Sequence, residues 1–372
     1  MKYRFLGNSG LLVSKFGFGS FVTFDMQMDF EKSYAVFEHA YKSGINFFDS
    51  AETYADGQAE VFIGKIVETG VERGVWSRED LVITTKLFFG TKLGSGGGGP
   101  NDTGLSRKHV VEGMKGSLKR FGLDYVDVVF CHRQDPYTTM EEVVRAMNYV
   151  IDQGWAFYWG TSEWTGAEII EACEVADRLG LIRPVCDQTR YNILDRSRVD
   201  YDFVNLYKVC CNTNFMSGYI TWFMLYLPDN AILQKYKYGV TAFSALSSGV
   251  LTGKYSKGIP EGSRISIPLF KQILSNGLEE KTAKALQLAE VAKEIGCTLP
   301  QLAIAWCVAN TNVSTVLLGA SSIEQLEENL QALAFEDKIN PEIRAKIDAI
   351  ADFNPELTKV QQNVHQIRGK WL

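Results

Sequence analysis

Eight short apolar runs punctuate this chain, and longer amphipathic stretches separate them. The runs are Phe16–Ser20, Asn46–Ala51, Leu81–Leu87, Val126–His132, Ala156–Glu163, Pro184–Asn192, Val240–Leu246 and Ser314–Ala320. Continuous apolar runs of this length, without alternation, read as strands covered on both faces, the mark of a parallel sheet. Helical spacing fills most of the intervals. Val110, Met114, Leu118 and Phe121 recur at three or four residues, and so do Val143, Met147 and Ile151. Residues 281–295 and 322–331 keep the same period, the latter starting behind Ser321-Ser322 with Glu324 in the first turn. Strand then helix, eight times, predicts an α/β protein whose strands close into a (β/α)8 (TIM) barrel. Residues 3–17 ahead of the first run read as two short strands about Asn8-Ser9-Gly10, a β-hairpin closing the base.

The rival is a doubly wound open sheet. That arrangement expects a phosphate-binding glycine fingerprint, and Gly17-Phe18-Gly19-Ser20-Phe21-Val22 does not supply G-x-G-x-x-G. The glycine-rich stretch Gly94–Pro100 lacks the Lys-Ser/Thr ending of a P-loop and reads as a flexible loop. A length of 372 residues fits one barrel over the whole chain. A net charge of −6 without a basic run gives no electrostatic footprint for nucleic acid. Seven cysteines without metal-type spacing suggest reduced thiols, and four scattered histidines argue against a His-rich metal site. The N-terminus lacks the apolar core of a signal peptide, so a cytoplasmic location is expected.

One stretch organises the candidate chemistry: Gly44-Ile45-Asn46-Phe47-Phe48-Asp49-Ser50-Ala51-Glu52-Thr53-Tyr54. A helix should end at Gly44 and a strand at Asp49, with Tyr54 in the loop beyond. In a barrel, residues at the carboxyl ends of strands converge on one mouth. The residues so placed are Asp49 and Tyr54, Lys86, His132, Ser162, Gln188 and the group Phe243-Ser244-Ala245-Leu246. Each has a plainer reading. Asp49 could cap the next helix, Lys86 could snorkel from a strand end, and His132 could be a satisfied core histidine. Four titratable groups at consecutive strand ends favour a site.

These motifs resemble the aldo-keto reductases. Gly44–Tyr54 is similar to that family's signature, and Lys86 in Ile83-Thr84-Thr85-Lys86 and His132 in Val128-Val129-Phe130-Cys131-His132-Arg133 match its other catalytic positions. The resemblance is closer to one branch, the β subunits of voltage-gated potassium channels. It runs through Gly104–His109, Tyr158–Ser162, Cys297–Trp306 and Val316–Ser321, and covers nearly the whole chain.

The resemblance implies hydride transfer from NADPH to an aldehyde or ketone. Tyr54 would be the general acid, Lys86 the cation that favours its phenolate, Asp49 the group that holds and neutralises Lys86, and His132 the group that orients the carbonyl oxygen. It also implies a cofactor track. Ser162 and Gln188 would grip the nicotinamide amide, with Asp49 alongside, and Phe243 would stack on the ring. Ser244, Ala245, Leu246, Ser247 and Lys254 would follow the pyrophosphate. Arg264 would meet the adenosine 2′-phosphate. Gly319, Ser321, Gln325, Glu328 and Asn329 would close over the adenosine, and Ser20, Phe21 and Gln27 match first-loop positions. For Glu328 and Asn329 the plainer reading is a solvated helix face. The channel branch implies a second function, a cytosolic regulatory subunit that binds NADPH as a redox sensor. Its partner would be a potassium channel α subunit and its assembly a homotetramer.

Departures from the branch shape the expectation. His132 stands where the branch has asparagine, as in ordinary reductases, which favours turnover. Glu163 replaces an arginine, and Phe243 replaces a tryptophan. The chain begins almost at its first strand, without the long N-terminal extension that plugs a pore in some channel subunits.

Residues 209–234, Val209 through Gln234, read as an insertion between the sixth helix and the seventh strand. Without them Lys208 joins Lys235 and the spacing of the channel branch is restored. Phe215–Leu227 is rich in aromatics and methionine and carries no charge. It is too short for a bilayer span, which needs about 20 residues, and it lacks the charged face of an interfacial helix. Every valine codon begins with GT and a glutamine codon can be CAG. The 26 residues therefore correspond to 78 in-frame nucleotides with the borders of a retained intron. A natural loop insertion that contacts a membrane or a partner is the alternative.

Overall fold

A computed structural model describes residues 1–20, 29–93, 98–207, 236–261, 263–266, 277–355 and 362–371. All eight apolar runs are strands. After the antiparallel pair β1 (Tyr3–Phe5) and β2 (Leu12–Ser14) come β3 (Phe16–Gly19), β4 (Phe47–Asp49), β5 (Val82–Leu87) and β6 (Val126–Cys131). β7 (Ala156–Ser162), β8 (Cys186–Arg190), β9 (Gly239–Phe243) and β10 (Val313–Leu318) follow. Strands β3 to β10 pair in chain order, all parallel, and β10 closes on β3. The open sheet is thereby excluded. All but β5 stop short of the end of their apolar runs, and the leftover residues, such as Ser50, His132 and Glu163, enter the loops above.

Helices cover the outside. Phe30–Lys42 starts on the Asp29 side chain, which accepts from Lys32 N, and Gly44 follows at φ +90°. Only a residue without Cβ takes that left-handed turn at no cost. Gln58–Glu72, Arg107–Phe121, Met140–Asp152 and Gly166–Leu179 follow β4, β5, β6 and β7. Val110, Met114, Val143 and Met147 are buried as their spacing requires. Val204–Tyr207 follows β8, and residues 209–234 lie outside the described residues. Among the described residues, two helices, Leu278–Ile295 and Leu299–Val308, lie between β9 and β10. Ile323–Leu330 follows β10 with its Ser322 cap accepting from Gln325 N.

The hairpin closes the barrel floor. Gly7 (φ +54°) lies so near β8 that a Cβ there would sit 1.9 Å from Val185 O. Leu6 and Val13 are fully buried and join Phe47, Val82, Val128, Phe130, Val185 and Cys186 in a cluster at the bottom of the lumen. Ser14 and Asn46 exchange hydrogen bonds of 2.8 and 3.0 Å across β2 and the start of β4. Glu336 accepts from Arg4 at 3.0 Å and from Lys15 at 2.5 Å, tying the hairpin to the C-terminal region.

Candidate functional site

Side chains two apart on a strand share a face, so the lumen can be read upward along each strand. β5 presents Val82, Thr84 and Lys86 in turn, β6 continues Val128 and Phe130 into His132, and β4 presents Phe47 and Asp49. The lower residues are apolar and the upper ones polar. Parallel pairing sets Asp49 beside Thr84 and puts Gln188 beside Ser162.

Four of the sequence-read residues meet at the mouth. Lys86 Nζ donates to Asp49 Oδ2 at 2.5 Å, to Ser50 O at 2.7 Å and to Tyr54 Oη at 3.2 Å. Lys86 and Asp49 are both buried. Asp49 Oδ1 also accepts from Thr84 Oγ1 at 2.7 Å and from Gln188 Nε2 at 2.9 Å. A carboxylate with these donors keeps its orientation, and the ammonium it holds points at the phenol. The His132 ring stands edge-on to Tyr54, centroids 5.9 Å apart. Its Nδ1 is buried without a hydrogen-bond partner among the described residues.

The electrostatics depart from the sequence reading in one respect. Burial pushes the Tyr54 phenol above its usual value, and Lys86 offsets this only in part. The phenol is therefore harder to ionise than free tyrosine, not easier, since desolvation outweighs one ammonium. Burial opposes the charge on Lys86, but Asp49 and Tyr54 outweigh it and hold the amine above its usual value. Burial, with Arg133 and Lys86 nearby, lowers His132 well below the usual imidazole value, so the ring is neutral at pH 7.

Most of the remaining sequence-read positions lie among the described residues. Ser162 Oγ donates to Gln188 O at 2.9 Å, and Ser20 Oγ to Ser50 Oγ at 3.2 Å. Phe243 ends β9, and the turn beyond it carries Ser244 (φ +63°), buried Ala245, Leu246 and Ser247 (φ +47°). Lys254 is exposed, with its ammonium over the Tyr255 ring. Ser321 donates to Gln325 Oε1 at 3.1 Å, Asn329 is buried, and exposed Glu328 accepts from Thr298 Oγ1 at 3.3 Å. Gly319 opens the loop after β10. Phe21, Gln27 and the Arg264 side chain lie outside the described residues.

Two features escaped the sequence reading. Thr84 holds Asp49, and its place two residues before Lys86 on the same face was the available signal. Glu163 (φ +60°) turns inward, accepting from Arg190 N at 2.7 Å and Thr189 Oγ1 at 3.0 Å beside Arg198 at 3.8 Å. Burial opposes its charge, but Arg198 and Arg133 overcome that and hold the carboxyl below its usual value. No local pattern announces such an inward-facing carboxylate.

The model of the Aldo/keto reductase family matches residues 15–218 and 230–352. The chain belongs to that family. Aldo-keto reductase membership carries oxidoreductase-type chemistry. The chain is 44% identical over 361 residues to a probable voltage-gated potassium channel subunit beta of Oryza sativa subsp. japonica, covering 96% of this chain and 99% of the relative. It is 45% identical over 358 residues to a probable subunit beta of Arabidopsis thaliana, covering 96% and 98%. It is 44% identical over 359 residues to a putative subunit beta of Schizosaccharomyces pombe, covering 95% and 94%. Among the described residues, no helix is long and apolar enough to cross a membrane.

Proposed function

We propose that this aldo-keto reductase reduces aldehydes or ketones with NADPH and that Tyr54 is the general acid. The observation that carries the reading is the buried Lys86 ammonium, bonded at once to Asp49 and to the Tyr54 hydroxyl. NADPH, when bound, would supply hydride chemistry. The Tyr54 proton goes to the carbonyl oxygen. A phenol with a raised pKa keeps that proton at neutral pH, and Lys86 stabilises the phenolate left behind. Asp49 keeps Lys86 charged and aimed. Neutral His132 offers an N–H to the same oxygen, adding a hydrogen bond without a second charge.

The residues present suit the cofactor. Leu246 (φ −93°, ψ 13°) followed by Ser247 (φ +47°) makes a right-then-left backbone turn of the kind that gathers amides around an anion. Such a nest fits a pyrophosphate, with Ser244, Ala245 and Lys254 flanking it. Nothing lies within 4 Å of a Cβ placed on Gly319, which leaves that backbone open to close approach. Ser162 and Gln188 would hold the nicotinamide amide, with Phe243 against the ring and Ser20 below. Ser321, Gln325, Glu328 and Asn329 would close over the adenosine, and Arg264 would meet the 2′-phosphate. The test is NADPH oxidation with benzaldehyde, in which Tyr54→Phe loses turnover while still binding NADPH.

The names of the plant and yeast relatives favour a second reading. In it the chain is a cytoplasmic homotetramer on a potassium channel α subunit and senses redox state through NADPH occupancy. Co-purification with the channel's cytoplasmic domain and a mass measurement by light scattering test it. We also propose that residues 209–234 are a translated, retained intron. The family match skips residues 219–229, which fall inside that segment, and this supports the reading. A mature transcript that always carries the segment would sink it.

A further inference from the structure

A catalytic histidine is normally aimed by a hydrogen bond to its second ring nitrogen. Among the described residues His132 has no such bond, since its Nδ1 is buried and finds no partner there. Two aromatic rings pack against it instead. Tyr54 stands edge-on to it at 5.9 Å and Phe89 edge-on at 4.9 Å, with interplanar angles of 79° and 80°. Phe89 is the nearer of the two rings and packs directly on the imidazole.

Phe89 in turn belongs to a turn gripped by one carboxylate. Glu52 is 1% exposed and carries no role in the proton transfer described above. Its Oε1 accepts from Phe88 N and from Gly90 N, each at 2.8 Å, on either side of Phe89. His109 Nε2 lies 3.1 Å from the same oxygen. Gly90 (φ +67°) packs so closely on the next loop that a Cβ would fall 2.3 Å from Asp102 O. Glu52 N donates to Lys86 O at 3.2 Å, so the same residue joins the Tyr54 loop to the end of β5. A buried carboxylate is kept where its hydrogen bonds compensate its desolvation, and here those bonds immobilise the residue beside His132.

We propose that Phe89, fixed by the Glu52 carboxylate, is a positioning residue that aims the His132 ring at the substrate oxygen. The proposal rests on the reductase reading for its kinetic consequences and on the ring geometry alone for its structural one. Replacing Phe89 by a smaller, non-planar side chain frees the ring to rotate. Removing the charge of Glu52 loosens the turn that carries Phe89.

The test compares wild type, Phe89→Leu, Phe89→Trp, Glu52→Gln and the Phe89→Leu/Glu52→Gln double variant in benzaldehyde reduction, with a crystal structure of Phe89→Leu. The expected result is a loss of about tenfold or more in kcat for Phe89→Leu with a smaller change in KM, because a misaimed donor acts on the transition state. Phe89→Trp stays within about threefold. Glu52→Gln lowers kcat in the wild-type background and by less than about twofold in the Phe89→Leu background, the non-additivity of residues acting in series. In the Phe89→Leu crystal the His132 ring leaves its edge-on stance against Tyr54. An unmoved ring, or full additivity of the two substitutions, overturns the proposal. If wild type itself does not turn over, that failure belongs to the reductase reading, and the ring position in the Phe89→Leu crystal decides the proposal. A melting curve on each variant separates unfolding from misaiming.

Discussion

The two halves of the barrel lumen are built from the same strands and behave as different materials. At the floor, Phe47, Val82, Val128 and Phe130 pack against Leu6 and Val13 of the hairpin, with no charge among them. Two to four residues further along the same runs stand Asp49, Lys86 and His132. The floor is stable because it is apolar and full. The mouth carries a buried ammonium and a buried carboxylate, tolerable only because each satisfies the other and further donors complete the shell. The floor thus supplies stability that the mouth spends on chemistry.

The largest separation of the two halves should come from Lys86→Met. It removes the cation beside Tyr54 and leaves Asp49 buried without its ion partner. Turnover should fall by about 100-fold or more, and stability by about 3–5 kcal/mol, as when one partner of a buried pair is removed. Steady-state kinetics and urea denaturation check both. Wild-type stability in this variant would mean that Asp49 needs no charge to balance it.

Leu6→Ala attacks the floor. A cavity beneath the lumen should cost about 2–5 kcal/mol of stability and leave kcat/KM within about twofold at a temperature where the variant is folded. A large drop in kcat would show that the floor tunes the mouth. A smaller effect belongs to Glu336→Gln, which weakens the ties of Arg4 and Lys15 to the C-terminal region. About 1–3 kcal/mol should be lost, with activity unaffected.

The pH profile sharpens the same contrast. Tyr54 must be protonated to act as an acid, and its pKa lies above the usual phenol value. Reduction should therefore be flat through neutral pH and decline only as pH rises through that value, above about 10. His132 is already neutral because its pKa is depressed, so no acid limb should appear near pH 6.5. A limb at that pH would mean that the ring is charged in the working enzyme.

The barrel was legible because parallel strands buried on both faces leave uninterrupted apolar runs, and each run marked a strand to within a few residues. The mouth was legible where chemistry-bearing residues end those runs, as Asp49, Lys86 and His132 do. The phenol's raised pKa was not, because the neighbour that lowers it is visible in the sequence and the burial that outweighs it is not. The contacts of Glu163 and Glu52 were not legible for a related reason. Their partners, Arg198 and Thr189 for one and the amides of Phe88 and Gly90 for the other, come together only when strands and loops are side by side.

The decisive measurement is NADPH oxidation with benzaldehyde by the intact chain and by Tyr54→Phe, alongside NADPH binding to each. The account predicts turnover by the wild-type chain, a loss of about 100-fold or more in the variant, and equal cofactor binding by both. Turnover that survives in Tyr54→Phe, or NADPH binding by the wild-type chain without any turnover, would contradict it.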